Sequence, residues 1–262
     1  MSSRTLLRAA RRLMFALVAT GCSLGPTTPP ALAGSRSVLF IGNSLTYSNS
    51  LPTMMQAIGQ QVGDTTLSVV MVAMPDFALS DHYQQGTTRD WFRRRTWNYV
   101  VLQQGSSALP ESQAHLRAWS LQFAPIIREA GAEPVLFMVW PMSSRLFDFP
   151  NVAVSYRNAA IAVEGIFAPA GEAWVAYARL ATEQNLPATL AYGELYADGL
   201  HPTPLGTYLS AIVLLERISG FSPTSLPAII PGVPVQPAVV RALQVAAAQA
   251  LAANPRYPHR LQ

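Results

Sequence analysis

The chain has 262 residues, half of them apolar and 12% charged, which is enough for one globular domain with a full core. Its formal charge of +4 comes from 18 basic residues, all arginine, against 14 acidic ones; four arginines precede residue 34, so the remainder is formally neutral and offers no electrostatic case for nucleic-acid binding. Cys22 is the sole cysteine, which excludes an internal disulfide and a cysteine metal cluster.

Residues 1–33 read as an export signal. Arg4, Arg8, Arg11 and Arg12 precede an apolar run at 13–19, followed by a Pro-rich segment ending Ala31-Leu32-Ala33. The run is shorter than the ~20 residues a membrane helix needs, so a periplasmic or secreted address without a transmembrane anchor is expected. Cleavage after Ala33 is favoured. Ala19-Thr20-Gly21-Cys22 offers an alternative, a lipoprotein anchored through Cys22, and Arg11-Arg12 a weaker twin-arginine signal.

From residue 37 onward, short apolar runs alternate with amphipathic stretches, the pattern of strands joined by crossover helices. Strands are predicted at 37–42, 67–73, 98–103, 134–140 and 164–169, with Val, Ile and Leu nearly continuous, as in a parallel sheet buried on both faces. Helices are predicted at 51–62, 112–130, 152–163, 172–183 and 203–218. The result is a three-layer α/β/α domain over 34–220. Beyond Gly220, five prolines between 223 and 237 predict an irregular strap. An Ala-rich helix at 238–253 then docks back on the same domain, and the tail from Asn254 is loose.

Within this frame three segments carry chemistry. Gly42-Asn43-Ser44-Leu45-Thr46 follows the first strand, and ligands of open α/β sheets bind at the carboxyl ends of the strands. By itself such a serine is equally an ordinary helix cap. Asp198-Gly199-Leu200-His201-Pro202 places a carboxylate three residues before a histidine, a spacing that lets it reach Nδ1 and leaves Nε2 outward as a base. Gln103 and Gln104 close the third strand, either as a polar strand end or as donors to a substrate.

Other features have plainer readings. His82 with Asp76 and Asp81 lacks a further histidine nearby, whereas catalytic zinc takes three protein ligands, so neither a metal nor another cofactor is expected. Arg93, Arg94 and Arg95 between Trp91 and Trp97 read as a solvated surface with apolar anchors. Trp140 lies either on the rim of the site or in the core, and His115 and His259 read as surface residues.

The first and last segments together resemble the SGNH, or GDSL-like, hydrolase superfamily, in particular a bacterial branch reading G-N-S-x-T in its first block and L-Q near the end of the third strand. The resemblance spans about residues 37–220 and implies a flavodoxin-like five-stranded parallel sheet. It further implies a metal-free mechanism on esters, with Ser44 as nucleophile, His201 as base and Asp198 orienting it. The implied oxyanion donors are the Ser44 amide, a second-block amide at Asp76, and a third-block side chain. The chain departs from the pattern at the last two. Asp76 stands where a glycine is expected, and its carboxylate disfavours a nearby oxyanion. Gln103, or Gln104 in an alternative register, stands where an Asn is expected. The expected partner is a carbohydrate or other small ester. An O-acyltransferase with the same triad and a non-catalytic glycan-binding envelope domain are the alternative functions.

Overall fold

The computed structural model describes residues 35–185 and 187–256; the leader with Cys22, and the tail with His259, lie outside the described residues. Five strands form one parallel sheet: β1 (Arg36–Gly42), β2 (Leu67–Ala73), β3 (Tyr99–Leu102), β4 (Glu133–Phe137) and β5 (Ile166–Ala168). Their order is β2-β1-β3-β4-β5. In this winding the chain reverses direction between β1 and β3, which opens a crevice at their carboxyl ends. The registers align those ends: Gly42 lies opposite Ala73, Ile41 opposite Leu102, and Leu102 opposite Leu136.

The helices are α1 (Ser44–Tyr47), α2 (Leu51–Gln61), α3 (Leu79–Gln85), α4 (Thr87–Arg94), α5 (Pro110–Glu129), α6 (Phe149–Ala162), α7 (Ala170–Glu183), α8 (Ala188–Leu195), α9 (Pro204–Ser219) and α10 (Pro237–Ala253). They flank the sheet in two groups. In one, α5 packs on α6 and α3, and α3 on α4; in the other, α2 packs on α9, and α7 on α9 and α10. Val38 through Ile41, Val100 through Leu102 and Val135 through Phe137 are fully buried, so burial on both faces accounts for the unbroken apolar runs.

The fourth strand stops at Phe137, short of the predicted 140, and the fifth is shorter than 164–169. Met138, Val139 and Trp140 leave the ladder yet stay wholly buried, and the pattern that marks a buried strand does not distinguish them from it. Trp140 stacks on Trp174 at 3.9 Å between ring centroids. Helices α3, α4 and α8, none of them predicted, are seven or eight residues long. The prolines between α9 and α10 permit more than an irregular strap. A 3₁₀ turn, Pro223–Ser225, starts with Pro at its first position, where the missing N–H costs nothing, and Ile230 bridges Val233. Buried Gln244 of α10 then donates to Tyr208 Oη at 2.9 Å and to Pro227 O at 2.9 Å, tying α10 to α9 and to this segment.

Candidate active site

Ser44 begins α1, immediately after β1, at the crevice. Asn43 caps that helix, its Oδ1 accepting Leu45 N at 3.2 Å. The turn is held by Gln103, whose Oε1 accepts Asn43 N at 2.8 Å and the Thr46 hydroxyl at 2.7 Å. The same side chain's Nε2 donates to Asn43 Oδ1 at 2.9 Å and to Gln104 O at 2.5 Å. This clamp explains the glycine before it, because a Cβ on Gly42 would collide with Gln103 Oε1 and Thr46 Oγ1.

The expectation that Gln103 presents its amide to substrate therefore meets a contrary geometry. Gln103 is wholly buried, and both ends of its amide are consumed in holding the turn that carries Ser44. Gln104, the alternative register, lines a cavity of about 280 Å³ together with Ser44, Asp76, Phe77, Ser106 and Leu200. Its backbone is fixed twice by Tyr156, whose hydroxyl donates to Gln104 O at 2.6 Å and accepts from Gln104 N at 3.0 Å. Its Oε1 accepts Leu79 N at 3.4 Å and faces His115 Nδ1 at 3.1 Å. A backbone N–H can only donate, which identifies the oxygen end of the amide and leaves Nε2 as the free end. His115, half-buried against Trp119, thus belongs to the surroundings of the site rather than to open surface.

Asp76 adopts φ 59°, the left-handed conformation in which glycine is at ease and Asp is among the better-tolerated alternatives. That accounts for an Asp at a position where the resemblance calls for Gly. Asp76 is exposed at the cavity wall, and among the described residues its amide has no hydrogen-bond acceptor. Phe77 O accepts Asn43 Nδ2 at 3.0 Å, tying this loop to the turn that carries Ser44.

Asp198 and His201 form a self-contained unit. Asp198 Oδ2 lies 2.7 Å from His201 Nδ1, while Oδ1 accepts His201 N at 2.7 Å and Leu200 N at 3.0 Å. The side-chain bond to His201, reinforced by the two amides, holds the Asp198 carboxyl down to about 2. An ionised Asp198 keeps the hydrogen of a neutral imidazole on Nδ1 and leaves Nε2 as an acceptor. The loop is anchored from behind by Trp140 Nε1, donating to Leu200 O at 2.9 Å, and by Ser143 N, donating to Gly199 O at 2.8 Å. Trp140 is thus a core residue that supports the site, not a rim contact.

Asn49 ties the segment after Ser44 to the one that follows His201. It follows α1 in the left-handed conformation, and its Nδ2 donates to Pro202 O at 2.8 Å and to Thr207 Oγ1 at 2.9 Å. Ser44 and Leu200 wall the same cavity, although among the described residues no hydrogen bond joins Ser44 Oγ to His201 Nε2. His82 turns away from Asp81: its Nε2 faces Gly42 O at 2.7 Å, while Asp81 accepts Ala78 N at 2.8 Å. Among the described residues no three His, Cys, Asp or Glu side chains converge as a metal site would require. Arg94 and Arg95 lie over the Trp91 and Trp97 rings, stems on apolar surface. No helix of the described residues is long and apolar enough to cross a membrane.

Several contributors had no signal in the sequence. Tyr156 and His115 reach the site from other elements, and Asn49, close to Ser44 in sequence, contributes through a partner far along the chain. In the sequence Asn43 and Thr46 are marked only as members of the first-block pattern, and the cap falls to Ser44, whereas the structure gives it to Asn43.

A parallel α/β domain with a serine at its switch point and an Asp-His pair on the adjoining loop defines the class. No protein-family model matches the sequence, and no curated protein does. Among solved structures, a protein from Slackia heliotrinireducens ascribed to the SGNH hydrolases is 26% identical, covering 70% of this chain and 98% of its own at a TM-score of 0.55. A DUF4886 family protein from Bacteroides uniformis is 18% identical, covering 87% and 97% at 0.65. An acetyl xylan esterase from Geobacillus stearothermophilus is 17% identical, covering 71% and 96% at 0.53. The chain belongs by its fold to the SGNH, or GDSL-like, hydrolase superfamily.

Proposed function

We propose that the protein is an exported serine esterase that cleaves carboxylic esters through an acyl-enzyme. The observation that carries this reading is the Asp198–His201 pair, joined at 2.7 Å on a loop that shares a cavity with Ser44. Ser44 Oγ attacks the ester carbonyl as His201 Nε2 takes its proton, and Asp198 stabilises the imidazolium that results. Charge then develops on the carbonyl oxygen. Its donors are the Ser44 amide, at the first position of α1 where no intrahelical acceptor exists, the Asp76 amide, and Gln104 Nε2. His201 returns the proton to the leaving alcohol, and a water activated by the same histidine releases the acid.

The cavity of about 280 Å³ suits a short acyl group, and its polar lining suits an alcohol bearing hydroxyls; acetylated carbohydrate is the substrate class we favour. One structurally similar protein is an acetyl xylan esterase, which agrees with that choice at the level of fold. Residues 1–33 act as the export signal, 34–220 form the catalytic domain, and 221–262 strap and brace it.

Purified residues 34–262 are expected to hydrolyse p-nitrophenyl acetate faster than longer-chain esters. Ser44→Ala and His201→Ala should each lose the activity by several orders of magnitude, leaving a residual of about 10³–10⁴ over water. Equal turnover in all three proteins would reject the assignment. Release of free acid without a new ester on an added sugar separates hydrolysis from acyl transfer.

A further inference from the structure

The peptide joining Gly42 to Asn43, directly before the nucleophile, is gripped at both ends. Its N–H, on Asn43, donates to Gln103 Oε1 at 2.8 Å. Its carbonyl, on Gly42, accepts Met74 N at 3.2 Å and faces His82 Nε2 at 2.7 Å, the shorter of those two contacts. A carbonyl oxygen only accepts, so Nε2 carries the hydrogen and a neutral ring is bare at Nδ1. His82 is 1% exposed, and among the described residues its buried Nδ1 has no partner. Burial also holds this ring neutral, outweighing both its bond to Gly42 and the charge of Asp81.

A buried acceptor with no donor is a standing cost, which an apolar ring of similar size would avoid. What such a ring would lose is the short bond beneath the nucleophile turn. The same imidazole meets Phe77 edge-on, with centroids 5.0 Å apart, and Phe77 O in turn holds Asn43 Nδ2 at 3.0 Å. One side chain therefore touches both the turn that carries Ser44 and the loop that carries the Asp76 amide. Thr88 Oγ1 donates to His82 O at 3.0 Å and anchors the histidine's own backbone.

We propose that His82 is a positioning residue, whose Nε2–H fixes the Gly42–Asn43 peptide and so aims Ser44 and the two backbone oxyanion donors. The inference rests on the esterase reading above. His82 touches no substrate atom in this scheme. Its role is to hold the turn at the orientation in which attack and oxyanion binding coincide, where a displacement of about 1 Å can cost up to 10²-fold in rate.

The test compares wild type, His82→Phe and His82→Gln by kcat, KM, thermal midpoint and the rate at which a fluorophosphonate labels Ser44. Gln retains an N–H donor near the Nε2 position, whereas Phe keeps only the ring. The Phe variant should lose about 10- to 100-fold in both kcat and labelling rate, with KM within about twofold. The Gln variant should recover most of that loss. A folded Phe variant with wild-type kcat, or a Gln variant as impaired as the Phe variant, would overturn the proposal. Should the Phe variant not fold, the ring tautomer of wild-type protein decides: long-range proton–nitrogen correlation should show Nε2–H, and Nδ1–H would refute the clamp. Wild type inert on every ester brings down the esterase reading together with the role built on it, whereas an active enzyme with an Nδ1–H ring loses the positioning role alone.

Discussion

At the scale of single residues, the two adjacent glutamines divide the work of the third strand's end. Just past β3, Gln103 turns under the Ser44 turn and Gln104 toward the cavity. Their variants should fail in different ways. Gln104→Ala is expected to lower kcat by roughly 10²–10³, as for loss of one oxyanion donor. Its thermal midpoint should fall less than that of Gln103→Ala, because the contact Gln104 takes from Leu79 N is long, at 3.4 Å. Gln103→Ala leaves Asn43 N and the Thr46 hydroxyl without their acceptor, and a buried donor left unpaired costs about 1–3 kcal/mol, so its thermal midpoint should fall measurably. Steady-state kinetics beside thermal melts distinguish the two. This division was not legible in the sequence, where Gln103-Gln104 has the same side chain in both registers. The Asp198–His201 pair was legible, because its geometry is local: every bond within it spans two or three residues. Asp76 was legible only as a departure, since the left-handed backbone that reconciles Asp with a glycine position shows in φ alone.

At the scale of elements, the strands were readable because a sheet covered on both faces requires continuous apolar residues, spaced here between amphipathic stretches. The long helices α5, α9 and α10 were readable for the related reason that each buries a broad stripe. The short helices escaped because two turns give too few positions for a period to emerge; α4 buries only Thr88 and Phe92, and α8 only Ala191 and Leu195. The loop between α8 and α9 depends on a single conformation. Gly199 has φ +87°, and a Cβ there would lie 2.8 Å from Ser143 Oγ. Gly199→Ala should therefore both strain the backbone and push Ser143 from the loop it supports, displacing His201. Activity is expected to fall further than stability. A Gly199→Ala protein with unchanged kcat would show that the loop tolerates the shift.

At the scale of the whole molecule, Asp198 and His82 are among the groups that make stability depend on acid. Asp198 is depressed from 3.8 to about 2, so the stability it contributes is present above pH 3.8 and lost as pH falls from there through about 2. His82 is lowered from 6.5, and the folded state favours its neutral form. Between 6.5 and the folded value the unfolded chain binds more protons, so this contribution is intact above pH 6.5 and declines on acidification. Thermal midpoints measured from pH 8 to pH 3 should fall below pH 6.5, and the first part of that fall should flatten in His82→Gln. An identical slope in the variant would assign the fall to other groups.

Asn49 and Pro202 are 153 residues apart in sequence, yet one hydrogen bond joins them, Asn49 near Ser44 and Pro202 next to His201. Closing a chain segment of that length is slow relative to forming the local turns that contain Ser44, or Asp198 and His201. On the mechanism proposed above, each segment can form early and remain inert, and hydrolysis begins only when the two distant segments dock. Recovered turnover after dilution from denaturant is in this sense a clock for the completion of the fold, and a nascent chain that has not yet reached residue 201 is held silent by its own length.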